Sequence, residues 1–246
     1  MLKILVIGNS FGTDATRYLY GIARAEGVKM KVVNLYIGGC SLFRHYRNML
    51  SEEKAYSYEI NGMSSGLFVS LKEALLSDEW DCVIMQQCSP KSDDPESYEP
   101  YLSKLAEYVR ECQPHAKIYL NETWTFARES TRFALTKSAT PEEMFPKVKK
   151  NYRDAAIRIS AYGLIPSGSA MYAYHNEVEP LGGTVYRDTF HADLGVGRYL
   201  LGCVWFEALT GRSAVGNTFN DFDKVVTAEE RERAERIAHD VFELED

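Results

Sequence analysis

The segment LKILVIGNSFG, residues 2–12, decides the fold of this chain. Residues 2–7 are apolar apart from Lys3, and such a run, closed by Gly8, is typical of a parallel strand that is buried on both faces. Ser10 follows at once, between Gly8 and Gly12. From about residue 14 to residue 26 the apolar positions recur with helical spacing. The segment therefore predicts a buried strand, a glycine-flanked turn that presents a serine, and a helix.

The rest of the chain continues this alternation of strands and helices. Apolar runs predict further strands at residues 31–37, 81–87, 117–120 and 164–166. Helical spacing and helix-start signals predict helices at residues 67–76, from 94 onward, 140–161, 194–209 and 227–242. Because such alternation requires crossover connections, we expect an α/β fold with a parallel sheet covered on both faces, in one domain over residues 1–246. Residues 41–66 have no clear period and are interpreted as a lid, a rim of the site or a surface excursion.

The composition excludes several classes of function. The chain has 246 residues and a net charge of −7, and its basic residues are scattered, so no nucleic-acid partner is expected. Five cysteines without regular spacing predict buried free thiols rather than a disulfide framework or a zinc site. No run approaches the roughly 18 apolar residues that cross a bilayer, and no cleavage site follows the apolar N-terminus. We therefore expect no membrane partner and a cytoplasmic location, unless a leader has been removed.

Ser10 is the first candidate catalytic residue. In open parallel sheets the ligand lies beyond the carboxyl ends of the strands, where Ser10 is predicted to be. A serine at a helix N-terminus also offers its own N–H to a developing negative charge. Two other interpretations stay open: Ser10 caps the helix, or Gly8 to Gly12 form a phosphate-binding turn, although the lysine of a P-loop is missing.

The second candidate feature is Asp188-Thr189-Phe190-His191, which precedes a strongly apolar helix. A serine hydroxyl needs an adjacent base, and that base needs a carboxylate to orient it. Asp188 and His191 are three residues apart, so they can form a hydrogen bond across a turn while the imidazole faces outward. A second helix cap is the alternative interpretation.

Together the two features resemble the SGNH (GDSL-like) hydrolase superfamily. Its members begin with a strand and a Gly-Asp-Ser type block that supplies the nucleophile, and they end with an Asp-x-x-His block before a C-terminal helix. Here Gly8-Asn9-Ser10 and Asp188 to His191 match these blocks, and the resemblance extends to about Leu209. It implies a flavodoxin-like, three-layer α/β/α sandwich with a parallel sheet of about five strands, and a triad of Ser10, His191 and Asp188.

The resemblance also implies an oxyanion hole. The family places a glycine after the second strand, and Gly39 is the better match to that donor. The family's third block, Gly-x-Asn-Asp, is absent, because Met85-Gln86-Gln87-Cys88-Ser89 stands there instead. A glutamine carboxamide offers the same N–H group, so the hole is expected to consist of the Ser10 and Gly39 N–H groups and the Gln87 side chain. Gln86 and Gln87 face opposite sides of a strand, so only one of them can reach the site.

These residues imply a serine esterase that acts through an acyl-enzyme and requires no metal or organic cofactor. The aromatic residues in the predicted loops are suited to sugar rings, so an O-acetylated carbohydrate is the first expectation and another short-chain ester the second. They are Phe11, Tyr36, Phe43, Tyr46, Trp124, Phe126, Tyr172 and Tyr174.

Two other functions stay open at this point. Because the family asparagine is missing, the chain could be a carbohydrate-binding relative of the same fold without turnover. It could also be a nucleotide- or phosphate-binding protein that uses the turn at Gly8 to Gly12. The sequence does not predict an oligomeric state.

Overall fold

The computed structural model describes residues 1–243 and contains one seven-stranded sheet. The strands are β1 (Leu2–Gly8), β2 (Met30–Tyr36), β3 (Tyr56–Ile60), β4 (Met63–Val69), β5 (Cys82–Met85), β6 (Lys117–Asn121) and β7 (Gly163–Ile165). Their order across the sheet is β4-β3-β2-β1-β5-β6-β7. The sheet has seven strands rather than the expected five, but five of them are parallel, and β3 and β4 extend one edge as an antiparallel hairpin.

Strand β1 lies at the centre because both of its faces are apolar. Ile4 and Val6 pack into one buried cluster, and Leu5 and Ile7 pack into the other. Since side chains alternate along a strand, each cluster is covered by its own helix layer, which confirms the expected three-layer sandwich. The parallel strands follow the flavodoxin-like order, which reverses at β1 and opens a crevice beyond its carboxyl end.

Nine helices flank the sheet in the described part of the chain. They are α1 (Ser10–Thr16), α2 (Leu19–Ala25), α3 (Leu42–Ser51), α4 (Leu71–Leu76), α5 (Tyr101–Cys112), α6 (Pro141–Arg158), α7 (Ser167–Val178), α8 (Val196–Thr210) and α9 (Ala228–Glu243). No helix among the described residues is both long and apolar enough to cross a membrane. The described cysteines are all free, and only Cys112 is partly exposed.

The helix starts show the capping that the sequence predicts. Before α9, the Thr227 hydroxyl accepts from the N–H of Glu230, whose carboxylate accepts from the N–H of Thr227. At α6 the Thr140 hydroxyl accepts from the N–H of Glu143, but the Glu143 carboxylate binds the N–H of Ala139 instead of that of Thr140. The second box is therefore complete, whereas the first is only half formed.

The structure corrects the prediction for residues 41–76. The stretch without a clear period contains α3, the β3–β4 hairpin and no long loop, and the predicted helix at 67–76 is half strand and half helix. Strand β4 is exposed on both faces, with Met63, Leu67 and Phe68 open to solvent. An edge strand without a buried face produces no alternating pattern, which explains why the sequence did not indicate it.

Candidate active site

Ser10 is the first residue of α1 and follows the carboxyl end of β1. The preceding Asn9 is extended, and its side-chain oxygen accepts a hydrogen bond of 3.0 Å from the N–H of Phe11. Asn9, rather than Ser10, therefore caps the helix. This leaves the Ser10 hydroxyl free to face the crevice.

The three predicted triad residues meet in the structure. The Ser10 Oγ lies 3.0 Å from His191 Nε2, although the two residues are 181 positions apart. His191 Nδ1 lies 2.8 Å from a carboxylate oxygen of Asp188, and the other carboxylate oxygen accepts from the His191 backbone N–H at 2.8 Å. Because the carboxylate accepts the Nδ1 proton, Nε2 is left as an acceptor for the serine O–H.

Asp188 is suited to this task electrostatically. Burial acts to raise the pKa of its carboxyl group, but the hydrogen bonds from the ring and backbone of His191 outweigh burial and hold that pKa below its ordinary value. The carboxylate therefore stays ionised beside the His191 imidazole.

The turn between Asp188 and His191 has a strained backbone that its neighbours support. Thr189 has a φ of 44°, in the left-handed region that a β-branched residue rarely adopts. Its carbonyl accepts from the N–H of Ala127 at 2.7 Å, and the next carbonyl, that of Phe190, accepts from the Trp124 indole at 2.7 Å. The segment after β6, which contains Trp124 and Ala127, thus fixes the loop that carries His191.

A buried ion-pair cluster, which the sequence reasoning missed, joins this loop to α1. Asp14 is fully buried one helical turn after Ser10. Its carboxylate binds Arg187 at 2.8 Å, Arg198 at 2.9 Å and the N–H of Ala192 at 3.2 Å. Arg187 directly precedes Asp188, so the Asp14 cluster links α1, which carries Ser10, to the loop that carries His191. An acid four positions after Ser10 was the only available sequence signal.

Two predicted oxyanion donors lie at the pocket. Ser10 and Gly39 both line the pocket. Gly39 has a φ of +60°, a backbone conformation that residues with a side chain rarely adopt. Within the described residues, neither backbone N–H donates to another protein group. Their action on an oxyanion stays a prediction.

The prediction that the Gln87 side chain is the third oxyanion donor is wrong. Its side chain is fully buried and its Nε2 donates to the carbonyl and hydroxyl oxygens of Ser97, at 3.0 and 3.1 Å. Its Oε1 accepts from the N–H groups of Leu42 and Cys88. The Gln87 carboxamide thus uses both of its N–H hydrogens and both acceptor positions of its oxygen. These hydrogen bonds connect α3 to the loop after β5, so the carboxamide does not face the pocket.

Gln86 points to the opposite side and belongs to a buried row of amides below Ser10. Asn9, Gln86 and Asn121, which we call the amide row, end three adjacent strands. Gln86 Nε2 donates to Asn9 at 2.8 Å, and Asn121 Nδ2 donates to Gln86 at 2.7 Å. The Ser167 hydroxyl and the Trp205 indole N–H both donate to the side-chain oxygen of Asn121. Gln86 therefore fixes the side chain of Asn9, which caps α1, and does not act as an oxyanion donor.

The triad opens into a pocket of about 360 Å³. Besides Ser10, Gly39 and His191 it is lined by Asn9, Phe11, Tyr36, Gly38, Cys88, Ser89, Pro90, Arg132 and Phe190. A larger cavity of about 730 Å³ lies at the amino ends of the central strands, around Met1 and Lys3, and contains none of Ser10, Asp188 and His191.

Most of the aromatic residues expected to contact sugars pack elsewhere. Trp124, Phe126 and Tyr174 are buried, and Trp124 stacks on Phe11 with ring centres 3.7 Å apart. Of the expected set, Phe11 and Tyr36 line the pocket. Phe190 also lines the pocket. This position was not predicted from the sequence, because Phe190 was considered only as a spacer residue between Asp188 and His191.

The comparisons with known proteins identify a family and a fold. A domain of unknown function, DUF4886, matches residues 3–241, whereas no curated protein matches the chain. The crystal structure of a DUF4886 family protein from Bacteroides uniformis is 31% identical, with a TM-score of 0.92, and the match covers 100% of this chain and 96% of that one.

More distant structures share the fold. A Slackia heliotrinireducens protein assigned to the SGNH hydrolases is 20% identical, with a TM-score of 0.57, over 84% of this chain and 97% of that one. A variant of an acetyl-xylooligosaccharide esterase from Geobacillus is 15% identical, with a TM-score of 0.57, over 87% and 95% of the two chains. The fold is therefore that of the SGNH/GDSL-like hydrolases, as the sequence predicted, and the chain belongs to the DUF4886 family.

Proposed function

We propose that this protein is a serine esterase that hydrolyses O-acyl esters through Ser10, His191 and Asp188. The observation that carries the proposal is the continuous contact from Ser10 Oγ to His191 at 3.0 Å and from His191 to Asp188 at 2.8 Å. A helix cap or a phosphate-binding turn would not require this contact, because neither gives the imidazole a role.

The reaction follows from these contacts. His191 Nε2 takes the proton of Ser10 as its oxygen attacks the ester carbonyl, and Asp188 stabilises the imidazolium that forms. His191 then protonates the departing alcohol, and the ester bond to it breaks. Water attacks the acyl-enzyme with His191 again as the base, which releases the acid and restores Ser10.

The negative charge that develops on the carbonyl oxygen requires donors at the pocket. The Ser10 and Gly39 N–H groups are proposed for this role, with the N-terminus of α1 adding a favourable potential. Because the Gln87 amide donates to Ser97 instead, Ser89 is the proposed third oxyanion donor. Its side chain lines the pocket, and its hydroxyl donates to no described residue.

For the substrate we propose a short acyl group, acetyl first, on a carbohydrate alcohol. The pocket volume of about 360 Å³ suits an acetyl group and one sugar ring, and the partly exposed Tyr36 and Phe190 offer aromatic surface. The fold likeness to an acetyl-xylooligosaccharide esterase is in keeping with this proposal.

The second candidate is a carbohydrate-binding relative without turnover. The observation that favours it is the full use of the Gln87 carboxamide, which removes the amide donor that the family pattern leads one to expect. A missing donor typically lowers the rate by about 10² to 10³-fold. The two candidates differ in whether Ser10 reacts.

The test is hydrolysis of p-nitrophenyl acetate together with labelling by a fluorophosphonate, read by intact mass. We expect the wild type to turn over the ester and to gain one label. Ser10→Ala should lose the label and at least about 10³-fold in kcat. Ser64→Ala, an exposed serine on the edge strand β4, is the matched control. Equal rates in wild type and Ser10→Ala would contradict the nucleophile, and a folded wild type without label would favour the binding relative.

A further inference from the structure

Arg132 places a positive charge in the catalytic pocket. It belongs to the short 3₁₀ helix Thr131–Leu135 and lines the pocket together with Ser10 and His191. Its guanidinium carbon lies 3.5 Å from the centre of the Phe190 ring. Since Phe190 immediately precedes His191 and its carbonyl is bound by Trp124, this contact holds the cation beside the reacting groups.

Among residues 1–243, no carboxylate forms an ion pair with Arg132. Within the described residues its side chain forms no ion pair and no hydrogen bond, and no aspartate or glutamate lines the pocket. Other arginines nearby are paired: Arg187 and Arg198 bind Asp14, and Arg128 binds Glu142. An unpaired guanidinium in the pocket of a chain with net charge −7 is therefore a distinctive feature.

We propose that Arg132 binds an anionic group of the substrate, so that the esters hydrolysed here carry a carboxylate close to the acyl group. This inference rests on the proposed esterase function. A guanidinium has a planar set of N–H donors that matches a carboxylate in a bidentate manner, and the contact with the Phe190 ring holds the guanidinium at the pocket before a substrate binds. A neutral ester would cover the cation without offering it an anionic partner.

The experiment compares two matched pairs of aryl esters. 4-Acetoxybenzoate carries a carboxylate on the alcohol side, and 4-acetoxybenzamide is its neutral counterpart of similar shape. Phenyl hydrogen succinate and phenyl succinamate form the corresponding pair on the acyl side. The ratio of kcat/KM within each pair is measured for wild type, Arg132→Gln, Arg132→Lys and Arg128→Gln. The last variant removes an exposed, paired arginine outside the pocket and serves as the control.

We expect wild type to prefer the anionic member of one pair by about tenfold or more, as for a charge-assisted hydrogen bond. The preferred pair shows which side of the ester faces Arg132. Arg132→Gln should abolish the preference, Arg132→Lys should restore part of it, and Arg128→Gln should keep it. The preference should also weaken as salt rises. Ratios near one in wild type, or ratios unchanged in Arg132→Gln, would overturn the proposal.

Binding to Ser10→Ala separates this inference from the proposed function. In that background the anionic ester should bind about tenfold more tightly than its amide, and the additional change Arg132→Gln should remove the difference. A wild type that hydrolyses none of the esters would refute the esterase, whereas equal binding of anionic and neutral esters would refute the role of Arg132.

Discussion

Gln87 shows how a single side chain can be essential to the fold beside a site without taking part in it. Replacing it by leucine removes the acceptor of two buried N–H groups, those of Leu42 and Cys88. Each buried donor left unsatisfied costs about 1–3 kcal/mol. We therefore expect Gln87→Leu to lower the free energy of unfolding by about 2–5 kcal/mol, measured by urea denaturation.

The same variant should keep kcat within a few-fold of wild type for the folded protein, because the carboxamide does not reach the pocket. A loss of about 10²-fold in kcat at unchanged stability would restore Gln87 to the oxyanion hole.

At the scale of single residues, the sequence identified which reactive side chains come together better than it identified the hydrogen bonds of their neighbours. Ser10, Asp188 and His191 could be found because each has a reactive side chain next to a recognisable strand or helix end. The direction of Gln87 could not be found, since it depends on Ser97 and Leu42, which contribute through backbone groups and a hydroxyl without any pattern in the sequence.

At the scale of elements, the Asp14 cluster determines how α1 and the loop before α8 meet. Asp14→Asn leaves two arginines facing a neutral amide in a buried place, where breaking such a pair costs about 3–5 kcal/mol. We expect a lower melting temperature and also a fall in the fluorophosphonate labelling rate, because Ser10 and His191 lose their fixed separation.

Asp223→Asn is the matched control for this prediction. Asp223 binds Arg198 at the surface but does not contact Arg187, so its loss should affect stability slightly and labelling very little. If Asp14→Asn reacted at the wild-type rate while losing stability, the cluster would support the fold only.

The elements differ in how well the sequence predicted them. The parallel strands were found because burial on both faces produces continuous apolar runs, as in β1. The β3–β4 hairpin and α7 were missed. Helix α7 is buried over most of its surface, with small residues such as Gly168 against the backbone of Thr123, so it has no polar face to mark its period.

At the scale of the whole molecule, stability should depend on pH through His45. This residue of α3 is fully buried, and its Nδ1 lies 2.9 Å from the Tyr56 hydroxyl. Burial, assisted by Arg44, lowers the pKa of His45 to about 3. Because the unfolded chain binds a proton near pH 6.5 and the folded one does not, stability falls as pH drops from about 6.5 towards 3.

We expect a contribution of up to about 1.4 kcal/mol per pH unit in that window, measured by urea unfolding at several pH values. His45→Gln should flatten the dependence by this amount, relative to wild type. The exposed His115 is the control, since His115→Gln should leave the slope unchanged. Parallel curves for wild type and His45→Gln would show that His45 is protonated equally in both states.

The amide row has a consequence for the position of the Ser10 hydroxyl. Each carboxamide donates in one direction and accepts in the other, so rotating any member would set two oxygens or two N–H groups against each other in a dry interior. The orientation of the cap below the serine is therefore established when the chain folds and does not wait for a ligand. Under the proposed function, a substrate that enters the crevice meets a Ser10 hydroxyl already within hydrogen-bond distance of His191, and the buried amides do not have to reorder first.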